Sequence, residues 1–364
     1  MNKETISDMQ GISLIVLAII GEASIFVMGI DAKRDLWLAI ILAIIIALTT
    51  ALIYIYIYLH NVFPGKDLFD IIEICFGKLV GKGIILLFIW YALYSLELSL
   101  LDYSYFVNTV AFPETPKIVI HMIFVILIIW IVKGGIEVLG RWSKFFLPIP
   151  IILIFTSSLL LIPQMNIDNI RPVLNNDIDS ILKATYYTYV FPFADIVFFS
   201  IVLSSFKTKQ SPYKIYIFSL LIAGIVVLVT GVVNILTIGV DMISSTYFPS
   251  YLTVSKINVG NVLQRIEVMV SISFFLGGFI KLSIELLVAC KGFAKIFGCE
   301  DYRFITIPIS LIPLNFSHYE FDSIMYYFGY ALEVYPYITL PFQVIFPISI
   351  LVVTVIKKKK LGAN

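Results

Sequence analysis

The chain has 364 residues, of which 60% are hydrophobic and only 13% charged, about half the ~25% charged fraction of an ordinary globular domain. That balance excludes a water-soluble globule. Lys and Arg number 25 against 24 Asp and Glu, so the net charge of +1 offers no broad cationic field to nucleic acid. Three cysteines, Cys75, Cys290 and Cys299, are too few and wrongly spaced for a disulfide framework or a thiolate metal site.

A bilayer core of about 30 Å requires about 20 apolar helical residues. In chain order, ten segments meet or approach that length: 11–30, 36–59, 83–110, 117–132, 145–162, 181–206, 213–240, 262–289, 304–316 and 334–356. The first has acidic residues beside Lys3 and no small-residue cleavage site, so it is expected to be a retained helix rather than a signal peptide. The ninth is short and carries Pro308 and Pro313. With the N-terminus inside, the cytoplasmic segments hold 17 of the cations and the outer segments seven, the remaining one, Lys281, lying within a span. That asymmetry fits the retention of Lys and Arg on the cytoplasmic side. Omitting the ninth span would strand Lys357 to Lys360 outside. The expectation is therefore an all-α integral membrane protein of ten transmembrane helices with both termini cytoplasmic. It forms one domain over 1–364, with five-helix repeats at 11–162 and 181–356 and a basic tail at 357–364.

Five spans per half is an odd number, so a duplicated half would insert upside down relative to its twin, the plan of many secondary transporters. In that plan the first helix of each half is interrupted near the midplane. Helix 1 has its apolar run Ile12–Ile20 stopped by Gly21-Glu22-Ala23-Ser24, resuming at Ile25. Helix 6 holds Phe191-Pro192-Phe193-Ala194-Asp195, where Pro192 lacks an N–H and leaves the Thr188 carbonyl without its helical donor. A proline kink and a packing glycine would explain each break alone. Their matching positions favour a binding site.

An ionised side chain near the bilayer centre costs at least ~2.5–3.5 kcal/mol, so one that persists has a partner or a task. Glu22, Glu97, Asp102, Asp195, Glu267, Lys281 and Glu285 all fall in spans. Lys281 and Glu285, four residues apart, share a helical face; Glu22 is a rival partner if helices 1 and 8 touch. A buried ammonium can stand where a coupling sodium ion would, a proton can couple through Glu22 or Asp195, or the pair can merely fix helix register. Asp102 is expected near the outer interface and solvated, and Glu267, beside Arg265, is expected to be a helix-end charge. Tyr91 and Tyr94, shortly before Glu97 on helix 3, are candidate hydroxyl donors to a central cavity. Trp37, Trp90, Trp130 and Trp142 stand near span ends and suit an interfacial belt.

No phosphate-binding loop is present, since the stretch 77–83 lacks the glycine spacing and the following Ser or Thr. No G-x-S-x-G elbow occurs. His60, His121 and His318 are dispersed, and His121 reads as a packed helix histidine. Neither an enzyme nor a metal or other cofactor is expected. What remains is a protein that binds, senses or moves a small solute.

Several short motifs, in order along nearly the whole chain, resemble the spore germination permease family. They are Ile6-Ser7 with Gln10; Ala32-Lys33 to Trp37; Phe63-Pro64-Gly65-Lys66 running to Phe76-Gly77-Lys78 and Gly81; Thr115-Pro116; Gly134-Gly135-Ile136-Glu137 with Gly140-Arg141; Arg171-Pro172-Val173-Leu174; Arg265-Ile266-Glu267; and Phe297-Gly298. The resemblance implies the B subunit of a nutrient germinant receptor, related to the amino acid, polyamine and organocation transporters with their LeuT-like 5+5 inverted repeat. It implies the spore inner membrane, an A subunit and a C-subunit lipoprotein as partners besides the lipid bilayer, and a nutrient germinant such as an amino acid that triggers ion release. Carried over by position, the helix 1 break falls on Gly21, Glu22 and Ala23 and the helix 3 aromatic on Tyr91. The helix 6 break falls on Phe191, Pro192, Phe193 and Asp195, and the helix 8 site near Ile280, Lys281, Ile284 and Glu285. Relatives often have small or neutral residues where this chain has Glu22 and Lys281, and Pro192 stands where proline is unusual. A pre-formed Glu22–Lys281 pair would receive a zwitterion by exchanging partners. A transporter or ion-conducting subunit of the same fold, and a subunit that only anchors its partners, are the competing expectations.

Overall fold

The computed structural model describes residues 4–59, 66–206, 208, 210–257 and 265–361. Lys3, His60, Phe63-Pro64-Gly65, Lys207, Lys209 and the first residues of the predicted span 262–289 lie outside the described residues, as do the side chains of Lys358 to Lys360.

Local sequence starts and stops the helices. α1 (Asp8–Ala23) opens on a capping box in which Gln10 accepts from the Ser7 N–H at 2.7 Å and Ser7 accepts from the Gln10 N–H at 3.3 Å. A 3-10 turn at Ile30–Asp35 leads into α2 (Leu36–Leu59). Asp67 and Asp70 form a second box before α3 (Leu68–Phe76). Gly77 then turns the chain at φ 81° into the 33-residue α4 (Lys78–Val110), and Gly135, at φ 85°, does the same between α5 (Lys117–Gly134) and α6 (Ile136–Phe146), a backbone region open mainly to glycine. α7 (Pro148–Leu161) completes the first half. The second half contains α8 (Ile178–Val190), the short α9 (Ile196–Phe199), α10 (Ser211–Ser244), α11 (Pro249–Ser255) and α12 (Val268–Phe297). α13 (Thr306–Tyr319), α14 (Ile324–Glu333), α15 (Tyr335–Leu340) and α16 (Phe346–Leu361) follow.

Eight helical stretches among the described residues are long and apolar enough to cross a membrane. The two remaining predicted spans correspond to α1, of 16 residues, and α13, of 14, which reach about 24 and 21 Å at 1.5 Å per residue. Several boundaries differ from expectation. The predicted span 145–162 begins at Ile136, because α6 runs through Leu147 into α7. The predicted span 334–356 is interrupted by a π-helical segment at Pro341–Ile345, where the proline ring removes a donor from the ladder. α3, α6, α11 and α14 escaped the hydropathy ruler because each is shorter than a span.

α1 is buried on all sides from Gly11 to Ala23, and α4, α12 and the segment 178–205 are mostly enclosed. α2, α5, α7 and α10 instead expose apolar side chains on one face, among them Ile45, Leu52, Ile126, Trp130, Leu159 and Ile225. A soluble protein could not carry that face; in lipid it is the outer surface. At the centre α1 crosses α12 at glycine. A Cβ on Gly21 would lie 2.6 Å from the Gly277 Cα, and one on Gly277 would lie 2.6 Å from the Leu17 carbonyl oxygen, the small-residue contact that lets membrane helices approach closely.

The two ends of the bundle are tied differently. At the end holding both termini, residues 4–6 cross the helix mouths: the Ile6 N–H donates to the Ser205 carbonyl at 2.9 Å, and the Thr5 N–H to Glu137 at 2.7 Å. Glu4 accepts from the Ile136 N–H at 3.2 Å and pairs with Arg303. At the opposite end the linker between halves wraps the buried Asp35 carboxylate, which accepts from the backbone N–H groups of Leu174, Asn175 and Asn176 at 2.5, 3.1 and 3.1 Å.

Gly277→Ala is expected to destabilise the protein by about 1–3 kcal/mol, as overpacking of a filled site does, and so lower the thermal unfolding midpoint in detergent. Gly83→Ala, where a Cβ meets nothing within 4 Å, should leave it unchanged or raise it. Equal midpoints for the two variants would contradict a tight α1–α12 crossing.

Candidate ligand-binding site

Two interrupted helices meet one charged side chain. α1 ends where the Ser24 hydroxyl donates to the Gly21 carbonyl at 2.5 Å, taking up an acceptor that the helix leaves free. The sequence suggested that the helix resumes at Ile25. Residues 24–29 are instead non-helical, and regular backbone returns only at Ile30. α8 ends at Val190, Phe191 is extended (φ −139°, ψ 120°), and the chain re-coils as a 3-10 turn at Phe193–Asp195. The orphaned Val190 carbonyl accepts from the Gln343 side-chain amide at 3.0 Å.

Between these breaks, α12 places Lys281. Its Nζ lies 2.6 Å from Glu22 Oε1, 3.1 Å from Asp195 Oδ2 and 4.0 Å from Glu285 Oε1, with the Phe191 ring centroid at 4.8 Å. The Ser95 hydroxyl donates to Glu285 Oε1 at 2.6 Å. Lys281, Glu22, Asp195 and Glu285 are each 5% exposed or less. The two pairings left open by the sequence therefore coexist, and a third, to Asp195, was not anticipated. One ammonium links the broken end of α1, the broken end of α8 and the body of α12. With every group ionised the four side chains sum to a charge of −2, an imbalance that a cation or protons would offset in so dry a setting.

On the side away from the termini, Lys281 forms the floor of a cavity of about 440 Å³. Phe26, Phe191, Tyr327 and Phe328 give it aromatic walls, and residues 243–247 with Ala331, Leu332, Tyr335 and Pro336 line it toward the bundle end. One face of α4 contributes Ser95, Leu98, Ser99 and Asp102, the i, i+3, i+4, i+7 pattern of a single helical stripe. On the side toward the termini Lys281 borders a second void of only about 10 Å³, between Ala18, Pro192, Asp195 and Ile284, which has room for about one water at most. Lys281 thus separates a cavity open to one end from packed protein below it.

The other candidate residues divide by position. Phe191 and Lys281 line the cavity, Pro192, Asp195 and Ile284 line the small void, and Glu22 and Glu285 reach both through Lys281. Gly21 packs at the crossing, and Ala23 and Phe193 are core. Tyr91 does not face the cavity: it is stacked between Phe198 and Phe342, at 4.8 and 4.6 Å, with its hydroxyl 3.5 Å from Asp195 Oδ1 and accepting from Gln343 at 3.0 Å. Tyr94 stacks on Trp90 and bonds Tyr330, also outside the cavity wall. Asp102, expected to be solvated at the interface, is 8% exposed and stands in the wall; its polar stripe with Ser95 and Ser99 along one helical face was the available signal. Gln343 gave no signal, because its role depends on a backbone gap 153 residues away in the chain. His121 is a packing residue, its Nδ1 3.0 Å from the Ser317 hydroxyl, and Glu267 stands at the N-cap position of α12 without a side-chain capping bond.

A family model described as spore germination protein matches residues 5–323. Spore germination protein KB of Bacillus subtilis (strain 168) is 28% identical over 364 residues, covering 99% of this chain and 97% of the relative. Spore germination protein XB of Bacillus anthracis is 19% identical over 74% of this chain and 75% of its own. Among solved structures, Mhp1, a nucleobase-cation-symport-1 family transporter in a closed conformation with bromovinylhydantoin bound, aligns at a TM-score of 0.66 and 11% identity, covering 94% of this chain and 77% of that one. MhsT in complex with L-phenylalanine aligns at 0.62 and 14%, covering 98% and 99%. The chain has the LeuT-like fold of these transporters.

Removing one partner of a buried ion pair costs about 3–5 kcal/mol, because the remaining charge is left uncompensated. Lys281→Met is expected to lose that much and to unfold at a clearly lower temperature. Glu285→Gln keeps an acceptor for Ser95 and should cost about 1 kcal/mol, in the range of a single hydrogen bond. Intrinsic-fluorescence melts of the purified variants check the order; a Lys281→Met protein as stable as the parent would mean that the carboxylates do not depend on the ammonium.

Proposed function

The chain belongs to the spore germination protein family, and from that premise we propose that it is the ten-span B-type subunit of a nutrient germinant receptor. It resides in the spore inner membrane with both termini cytoplasmic, alongside an A subunit and a C-subunit lipoprotein. A small nutrient enters from the end opposite the termini, lodges above Lys281 between the broken helices, and favours one of two arrangements of the bundle. A ligand shifts such an equilibrium only by its differential affinity for the two states. The observation that carries the reading is the single ammonium shared by Glu22, Asp195 and Glu285 at the floor of the cavity. Any ligand that draws on Lys281 or Phe191 alters the ties among α1, α8 and α12 together. The strap at residues 4–6 closes the far end, so occupancy from one side can be sensed on the other through its release.

The same cavity would serve a transporter or ion-conducting subunit, and the small void beneath Lys281 favours that second reading, since it marks where a path would continue. Flux separates the two. In proteoliposomes containing the full chain alone, a receptor binds its nutrient without accumulating it, whereas a transporter takes it up.

Ser99→Phe fills the cavity without touching the ion cluster. Spores carrying it are expected to need at least about tenfold more nutrient, a difference of about 1.4 kcal/mol in binding, at an unchanged level of the protein in the inner membrane. A normal response with the cavity filled would refute this assignment.

A further inference from the structure

The charges around the cavity favour one class of ligand. Two carboxylates, Asp31 and Asp102, line the cavity with the ammonium of Lys281; Asp31 is paired with Lys183 at 3.3 Å, and three more carboxylates, Glu22, Asp195 and Glu285, lie behind the floor around Lys281. That ammonium is already engaged: it has three protons to donate, Glu22 and Asp195 lie at hydrogen-bond distance, Glu285 lies at 4.0 Å, and the Phe191 face covers another side. A ligand carboxylate would have to displace one of these partners while facing the others, and like charges that close repel strongly in a poorly solvated site. Asp102 is in the opposite position. It makes no ion pair among the described residues. The Tyr327 hydroxyl faces both Asp102 and the Leu98 carbonyl, the latter at 3.0 Å; its one proton serves one acceptor at a time, so it leaves carboxylate lone pairs free for a ligand. Asp102 also lies seven residues beyond Ser95 on α4, about 10 Å along the axis, so it stands between the cluster and the mouth of the cavity. Phe26 and Phe328, with ring centroids 5.9 Å apart, and Tyr327, 5.4 Å from Phe328, add aromatic rings to the same wall, and ring faces attract organic cations.

We propose, on the reading of the cavity given above, that it takes an organic cation with an apolar body, and that Asp102 is the specificity-determining residue that pairs with the ligand's ammonium. A matched series with one phenyl body and different charge tests this: phenethylamine, L-phenylalanine and 3-phenylpropionate, titrated calorimetrically at neutral pH into the purified full chain in nanodiscs. Phenethylamine is expected to bind tightest and 3-phenylpropionate at least about tenfold more weakly. Asp102→Asn, a near-isosteric change, should weaken phenethylamine about tenfold or more, leave 3-phenylpropionate no weaker, and leave the unfolding midpoint unchanged.

Tighter binding of the acid or the zwitterion overturns the proposal, as does an amine affinity that ignores Asp102→Asn, or no amine binding at all. Glucose serves as a neutral probe. If glucose or L-phenylalanine binds in a manner lost in Ser99→Phe but kept in Asp102→Asn, the cation assignment falls and the cavity remains the nutrient site. If no probe binds and Ser99→Phe spores respond normally, both fall.

Discussion

A lysine buried among three carboxylates is the constraint on which the rest of the site depends. Membrane interiors do not tolerate isolated charge, so Lys281 and its partners must stay together, and keeping them together fixes where α1 and α8 stop. Glu22 is the penultimate residue of α1, and Asp195 closes the 3-10 turn that follows the gap after α8. The same ammonium therefore satisfies charges delivered by both interrupted helices, while Ser95 adds a hydrogen bond to Glu285 and Gln343 takes up the Val190 carbonyl and Asp195 Oδ1. The gaps in the backbone ladder and the ion cluster support each other. Unwound backbone is tolerated at this depth because it is enclosed by protein, and the enclosing residues are those that hold the charges.

Asymmetry between the two ends of the bundle follows from different chemistry. At the end with the termini, backbone and side-chain bonds of residues 4–6 join segments from both halves, and below Lys281 the protein is packed. At the other end, the linker is held to Asp35 at the start of α2, outside the cavity lining, so the aromatic walls remain unfilled. An arrangement open on one side and closed on the other is one of the two states that an alternating-access fold must have. The Gly21–Gly277 crossing lies next to Glu22, so a close backbone approach and a buried charge occupy the same layer.

Much of this was readable in advance. The 60% hydrophobic content, the span-length runs and the two carboxylate-bearing breaks at Gly21-Glu22 and Phe191 to Asp195 identified a membrane bundle with a discontinuous pair, because span length and helix interruption are local properties of the chain. The ordered motifs from Ile6-Ser7 to Phe297-Gly298 pointed to the family, and at least three have plain structural roles: Ser7 and Gln10 cap α1, Gly77 and Gly135 turn corners between helices, and Gly298 ends α12.

What the chain alone could not settle is which of the intramembrane charges meet. Lys281 had two candidate partners by sequence and has three in space, because Asp195, 86 positions away in the sequence, is brought to it only when α8 and α12 pack. Tyr91 and Asp102, eleven positions apart on α4, both depart from their expected surroundings: the tyrosine is stacked in the core rather than at the cavity, and the aspartate faces the cavity rather than the interface. On a helix enclosed on nearly every side, apolar periodicity no longer tells a face that meets protein from one that meets a void. Composition and helical period determine that such a bundle forms; the packing of non-adjacent helices alone decides where it leaves space and which charges border it.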